Sequence, residues 1–377
     1  MGRSHRRGFP DGGRSGIGPT LRSSEWKSGR PMVDAVRSEW PLVEVAGSAY
    51  DMGYEHGVQA SELVERYLFW IERMTGRSRD ELCRNAMAFL PLMERLSSAY
   101  IEEIRGLSEG AKISFDEAVL CQARGEAARV SDEACTAFAL TRGATRGGVT
   151  LAGQNQDLAP EYGDFAVLLK GKPSDGRPRF LMFTFAGQLG YSGMNQHGVA
   201  HFANALYDCP WEMGLPHYPL KRAALEQADL KGVTGLLSKH RVCSAGNMVV
   251  CTGAGDIADY EIRPEGFREY RGGDPDSIVH ANHYESEDFE PFETNSLADS
   301  CSRAERMRVL VAEHYGEITV ETMKAALADH EGDPAAICRH GASDMISLSG
   351  YIADATNRVL HVRRGHGCTG TWTDYTV

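Results

Sequence analysis

From Tyr50 to about Arg129, apolar residues recur at spacings of three and four, through Leu63, Tyr67 and Ile71 and again through Phe89, Leu92 and Leu96. That is the period of helices burying one face, so the first third is expected to be mostly helical. Gly53 and Gly57 stand one turn apart there, where a missing side chain lets a neighbouring backbone approach. After residue 134 the runs shorten and become β-branched and aromatic. They are divided by turn signals at Gly143 to Gly148, Pro173 to Pro178, Gly187 to Gly193 and Gln196-His197-Gly198. This predicts an antiparallel meander. Helical periods return near 219–240 and 297–329, separated by strands over Asn247–Thr252 and Ile257–Arg263. A last hairpin, Met345–Asp354 and Val359–Arg363, turns at Ala355 to Arg358. The order of elements implies an α+β domain, antiparallel sheets covered by helices, with no internal repeat.

Composition changes this picture little: of 377 residues, 42% are hydrophobic and 24% charged, ordinary globular usage. No apolar run approaches the roughly eighteen residues of a membrane span, and no targeting signal is evident, so a cytoplasmic protein with no membrane partner is expected. The net charge of −12 is uneven, because residues 1–31 carry seven Lys/Arg against two Asp/Glu. That Gly-rich stretch reads as a disordered basic tail, and the acidic remainder makes nucleic acid a poor partner. Nine cysteines, an odd number without a Cys-x-x-Cys pair, argue against a disulfide framework or a zinc site. The histidine pairs His197/His201 and His280/His283 have metal-like spacing but no helix or third ligand to support it. Neither a metal nor another cofactor is expected.

Cys135 differs from the other cysteines because it opens a strand-like run, Cys-Thr-Ala-Phe-Ala-Leu-Thr, after the loop-like Ser131 to Ala134. A papain-type nucleophile would instead start a helix and need a histidine. The turn at Gly143–Gly147 sets the register of its flanking strands, so facing residues should have numbers summing to roughly 290. Cys135 then lies opposite position 155 or so, beside Asn155 and Asp157. A buried cysteine with two polar residues closing a sheet edge fits the same spacing.

The stretches Gly-Ser-Ala-Tyr-Asp-Met-Gly-Tyr-Glu-His-Gly from Gly47, Ala134 to Phe138, Gly153-Gln154-Asn155-Gln156-Asp157, Gly193 to Gly198 and Ala281-Asn282-His283 occur in that order. Together they resemble the acyl-coenzyme A:6-aminopenicillanic acid acyltransferase (isopenicillin N acyltransferase-like, peptidase C45) family of N-terminal-nucleophile hydrolases. The resemblance implies a four-layer αββα sandwich and a zymogen that cuts itself between Ala134 and Cys135. A helical chain, 32–134 beyond the tail, would then stay paired with a nucleophile-bearing chain, 135–377. Cys135 would be the nucleophile and its freed α-amino group the base. A thiol needs one, since a free Cys has a pKa of about 8.5 and an α-amine one of roughly 7.7–8.0. Asp157 would hold that amine. Asn247 would donate to the oxyanion, with Asn204 and Asn155 as further oxyanion or substrate groups, and Arg303 and His283 would face the substrate. The substrate would be a small amide or acyl donor; a higher homo-oligomer is left open. Ala134 stands where the family commonly has Gly. Hydrolysis of β-alanyl amines or acyl-amino acids, and an unprocessed binding protein of the same fold, remain as alternatives.

Overall fold

The computed structural model describes residues 38–129, 133–207, 209–341 and 345–377. The tail expected over 1–31 lies outside them. After β1 (Leu42–Gly47) come α1 (Ala49–Thr75), α2 (Arg79–Met87), α3 (Leu90–Leu96), α4 (Ser98–Ala111), α5 (Phe115–Gln122) and α6 (Arg124–Ala128), which fill the stretch of helical period. Ser48 and Asp51 cap α1 reciprocally, and Gly76, left-handed at φ 64°, ends it. α1 and α4 cross glycine against glycine. A Cβ added to Gly53 would lie 1.8 Å from the Glu103 carbonyl oxygen, and one on Gly106 2.1 Å from that of Tyr50. The glycines are therefore what lets the two backbones touch.

The strands and remaining helices follow as β2 (Ala134–Leu140), β3 (Leu151–Leu158), β4 (Ala166–Pro173), β5 (Phe180–Phe185), β6 (Ser192–Asn195), β7 (Ala200–Phe202), α7 (His217–Ala224), α8 (Leu230–Lys239), β8 (Gly246–Cys251), β9 (Ile257–Arg263), β10 (Gly266–Tyr270), β11 (Ser277–His280), α9 (Ser300–Glu313), α10 (Val320–Ala326), β12 (Ile346–Asp354), β13 (Val359–Arg364) and β14 (Thr371–Thr376). They make two sheets, ordered β1-β4-β5-β6-β7-β8-β9-β10 and β11-β2-β3-β12-β13-β14. Among the described strands of these sheets, every pairing is antiparallel except β1 with β4. β1 lies outside the expected pattern because its partner is 126 residues away in register, Leu42 on Leu168.

β2 and β3 pack against β7 and β8, so the two sheets lie face to face. α1 covers β1 and β4 on one outer side, and α9 and α10 cover β2, β11 and β12 on the other. The result is the α+β sandwich of two helix-covered sheets. Tyr67, Trp70, Tyr162, Phe165 and Phe185 form one aromatic cluster under α1, with centroids 4.4 to 6.4 Å apart in its contacts. No described helix is long and apolar enough to cross a membrane.

One strand breaks the expected composition of a doubly covered sheet. In β3, Gln154, Asn155, Gln156 and Asp157 are all fully buried. Burying four consecutive polar side chains is costly unless partners are supplied, so their partners mark the place where chemistry is concentrated.

Candidate active site

β2 and β3 pair with Ala134 opposite Asp157, Cys135 opposite Gln156 and Thr136 opposite Asn155. Because side chains alternate along a strand, the pairing sorts these residues onto two faces. Ala137 and Ala139, in phase with Cys135, belong to the core shared with the eight-stranded sheet. Phe138 and Leu140, in phase with Asp157 and Asn155, pack with Met307 and Met323 of the outer helices. The Cys135 thiol therefore points between the sheets, and the Asp157 carboxylate points toward α9. They meet through the backbone at the start of β2, not side chain to side chain.

On the helix face, Ser347 Oγ donates to Asp157 Oδ1 at 2.6 Å and Arg339 Nε lies 3.6 Å from Oδ2. Burial pushes the Asp157 carboxyl up, and Arg339, Arg303, the Ser347 hydroxyl and Arg363 pull the other way. Asn155 is fully engaged: its Nδ2 donates to Leu327 O at 2.8 Å and Ile337 O at 2.9 Å, and its Oδ1 accepts from Arg363 at 2.8 Å. Arg303 on α9 is buried. It donates to Cys135 O at 2.5 Å, Thr136 Oγ1 at 2.8 Å, Asn282 Oδ1 at 2.9 Å and Asp299 at 3.3 Å.

Asn282 is the residue the sequence pattern left unmarked, although it sits inside Ala281-Asn282-His283. Its Oδ1 accepts the Cys135 backbone N–H at 2.9 Å, while its own Nδ2 donates to Ala205 O at 2.9 Å. The segment carrying it is held from behind. Asn204 Nδ2 donates to His280 O at 3.0 Å and Ala281 O at 2.7 Å. Asn247 Oδ1 accepts from Asn204 N at 2.9 Å, and Asn247 Nδ2 donates to Asp259 Oδ1 at 2.7 Å. Both asparagine amides are thus spent on scaffolding. His283 bonds Ser300 Oγ at 2.7 Å and lies 3.2 Å from Glu285. His280 lies 3.0 Å from Glu261 and 3.8 Å from Asp259; burial alone would lower it, but Asp259 and Glu261 outweigh burial and lift its pKa to about 10.

On the thiol face, Cys135 is fully buried. Burial, then Glu133 and Asp157, push the thiol well above its usual range, against the pull of Arg303 and Lys221. Gln156 faces Cys135 across the strand pair, and among the described residues neither end of its amide has a partner. Glu133, just ahead of the strand, is held by Arg124 at 3.1 Å and the Tyr191 hydroxyl at 2.9 Å. Lys221 is buried with its Nζ 4.4 Å from the centroid of Tyr191; burial lowers it, and Glu133 and Cys135 raise it.

Of the histidine pairs with metal-like spacing, His201 is buried on β7 and bonds Lys221 O at 2.8 Å, and His280 is paired with carboxylates. A different group, His330, Cys338, His340 and Cys368, has its ligating atoms within 4.8 Å of one another. No spacing motif exposes it, because Cys368 arrives from another hairpin.

A family model described as acyl-coenzyme A:6-aminopenicillanic acid acyl-transferase matches residues 144–353, more than half of the chain. The matched span begins after Cys135 and contains Asp157, Asn204, Asn247, Asn282 and Arg303. Similar solved structures include a mutant of conjugated bile acid hydrolase from Clostridium perfringens, at 9% identity over 64% of this chain and 97% of that one, TM-score 0.44. Penicillin V acylase from Agrobacterium tumefaciens is 12% identical over 64% of this chain and 86% of that one, TM-score 0.41.

Proposed function

Because the chain belongs to the acyl-coenzyme A:6-aminopenicillanic acid acyl-transferase family, we propose that it is a self-cutting enzyme that breaks amide bonds through a thioester on Cys135. The observation that carries this reading is how Cys135 is held. Its nitrogen bonds Asn282, its carbonyl bonds Arg303, and Ala134, the residue before it, lies opposite Asp157 in register. In the cut, Cys135 Sγ attacks the Ala134 carbonyl carbon, an S–C bond forms, and the Ala134–Cys135 C–N bond breaks. The thiol proton ends on the Cys135 nitrogen. Water then hydrolyses the thioester and leaves a carboxylate on Ala134.

The new α-amine takes the thiol proton when a substrate is attacked and returns it to the leaving amine. Asn282 Oδ1 already accepts from that nitrogen and orients it; Asp157, on the strand beside it, favours its protonated form. The oxyanion role that the resemblance gives Asn247 and Asn204 is retained as a proposal for the cut enzyme. Water or an acceptor amine resolves the acyl-thioester, giving hydrolysis or transfer.

Cys135 is fully buried in the uncut chain, so substrate reaches it only after the segment ending in Ala134 leaves the strand. Glu133 leaves with it. Lys221, Arg124 and the Tyr191 hydroxyl, which now face the Glu133 carboxylate, would then face the substrate. This favours amides bearing a carboxylate near the scissile bond, such as acyl-amino acids, over neutral amides. The test is mass spectrometry of the cut enzyme during turnover of an N-acyl-amino acid. An acyl adduct on the fragment starting at Cys135 supports the reading; turnover undiminished in Cys135→Ala would overturn it.

A further inference from the structure

Two segments converge on the helix-covered side of the six-stranded sheet. In the first, Cys338 N–H donates to Asp329 O at 2.9 Å and Asp333 N–H to His330 O at 3.1 Å. These bonds close a loop that brings His330 back to Cys338 and His340. The second is the turn after β13, where Gly370 N–H donates to His366 O at 2.6 Å and Cys368 is presented at the apex. Gly367 lets this turn press onto the first segment: a Cβ there would lie 2.3 Å from Leu327 O and 3.0 Å from Cys338 Sγ.

What the two segments present to each other is two thiols and two imidazoles. His330 Nε2 lies 2.9 Å from His340 Nε2, and Cys368 Sγ lies 3.5 Å from His340 Nε2. A tetrahedral centre with Zn–S near 2.3 Å and Zn–N near 2.0–2.1 Å has ligand-to-ligand edges of roughly 3.3–3.7 Å. The observed separations approach those edges, and the two Nε2 atoms, both acceptors when their Nδ1 is protonated, face one point. Two soft thiolates with two imidazoles are a zinc donor set, and four protein ligands leave no position for substrate.

We propose that His330, Cys338, His340 and Cys368 bind one zinc ion in a closed structural site. Its effect on the rest of the molecule follows from what lies beside the ligands. Ile337 O, one residue from Cys338, accepts from Asn155. Arg339, between Cys338 and His340, reaches Asp157 and Asp299 and takes its backbone N–H to Ser347 Oγ at 2.9 Å. The zinc ties the loop that carries these groups to the turn after β13. It holds the wall behind Asp157 and takes no part in breaking the amide bond.

The test uses tag-free full-length protein produced in zinc-supplemented medium and dialysed exhaustively. Elemental analysis should find one equivalent of zinc per chain. Replacing it by Co²⁺ should give the intense visible d–d bands of a tetrahedral ion with a thiolate-to-cobalt charge-transfer band. Both should be lost in His330→Ala and in Cys368→Ser, with folding checked by circular dichroism; if either variant misfolds, the wild-type stoichiometry and cobalt spectrum decide. Less than about a tenth of an equivalent in the wild type, a wild-type cobalt spectrum without these bands, undiminished zinc in a folded variant, or a Cys338–Cys368 disulfide in the untreated protein would each overturn the site.

Discussion

The Oδ1 atom of Asn282 accepts the backbone N–H of Cys135 at 2.9 Å, across 147 residues of sequence. In the proposed reaction that nitrogen is the leaving group of the cut and the base afterwards, so one side chain would serve both steps. Asn282→Ala should slow cutting and turnover by about tenfold or more, followed by gel densitometry and by initial rates per cut molecule. Rates within about twofold of wild type for both steps would take Asn282 out of the mechanism.

Asp157 stands opposite Ala134 in register, on the strand beside that nitrogen. Asp157→Asn keeps size and the Ser347 contact but removes the negative charge that favours the protonated amine. Turnover per cut molecule should fall on the order of a hundredfold, with KM changing less. A purely structural Asp157 would cost melting temperature and leave that rate near wild type.

In the proposed reading Lys221 bears on substrate choice. Lys221→Met should raise KM for carboxylate-bearing amides by about tenfold while KM for matched neutral amides changes little, because only the first group forms a charge-assisted contact. Equal changes for both substrate sets would remove the carboxylate preference.

His280 gives the fold a pH signature. Its folded pKa of about 10 lies above its usual 6.5, so the stabilisation of the imidazolium by Glu261, joined by Asp259 once that buried carboxyl ionises near its own raised pKa of about 7, declines as pH rises and is gone above about 10. The stability gap between wild type and His280→Gln, from urea titrations, should narrow steadily from pH 6.5 to 10. A constant gap would show that His280 is not held protonated.

Local signals carried the reading as far as local structure extends. The loop over residues 141–150 joins β2 directly to β3, so Cys135 comes against Gln156, and the glycine spacing in α1 reports the α4 crossing directly. The face each side chain takes was a finer matter. A register sum near 290 cannot separate the thiol's side of the sheet from that of Asp157, since one residue of slip exchanges them. Asn282, Arg339 and Ser347 reach the site from more than 140 residues away. Their placement follows from packing α9, the 327–341 segment and the start of β12 around the outer face of the sheet, which no periodicity encodes. The Cys338–Cys368 approach was hidden for the same reason: it depends on the β13 turn closing over Leu327.

Intact-mass spectrometry of the purified protein addresses the central claim most directly, in parallel with Cys135→Ala. Self-cutting gives two masses for the wild type, one of them residues 135–377 with cysteine at its N-terminus, and a single full-length mass for the variant. One uncut mass for a wild-type protein that still turns over amides, or two fragments from Cys135→Ala, would contradict it.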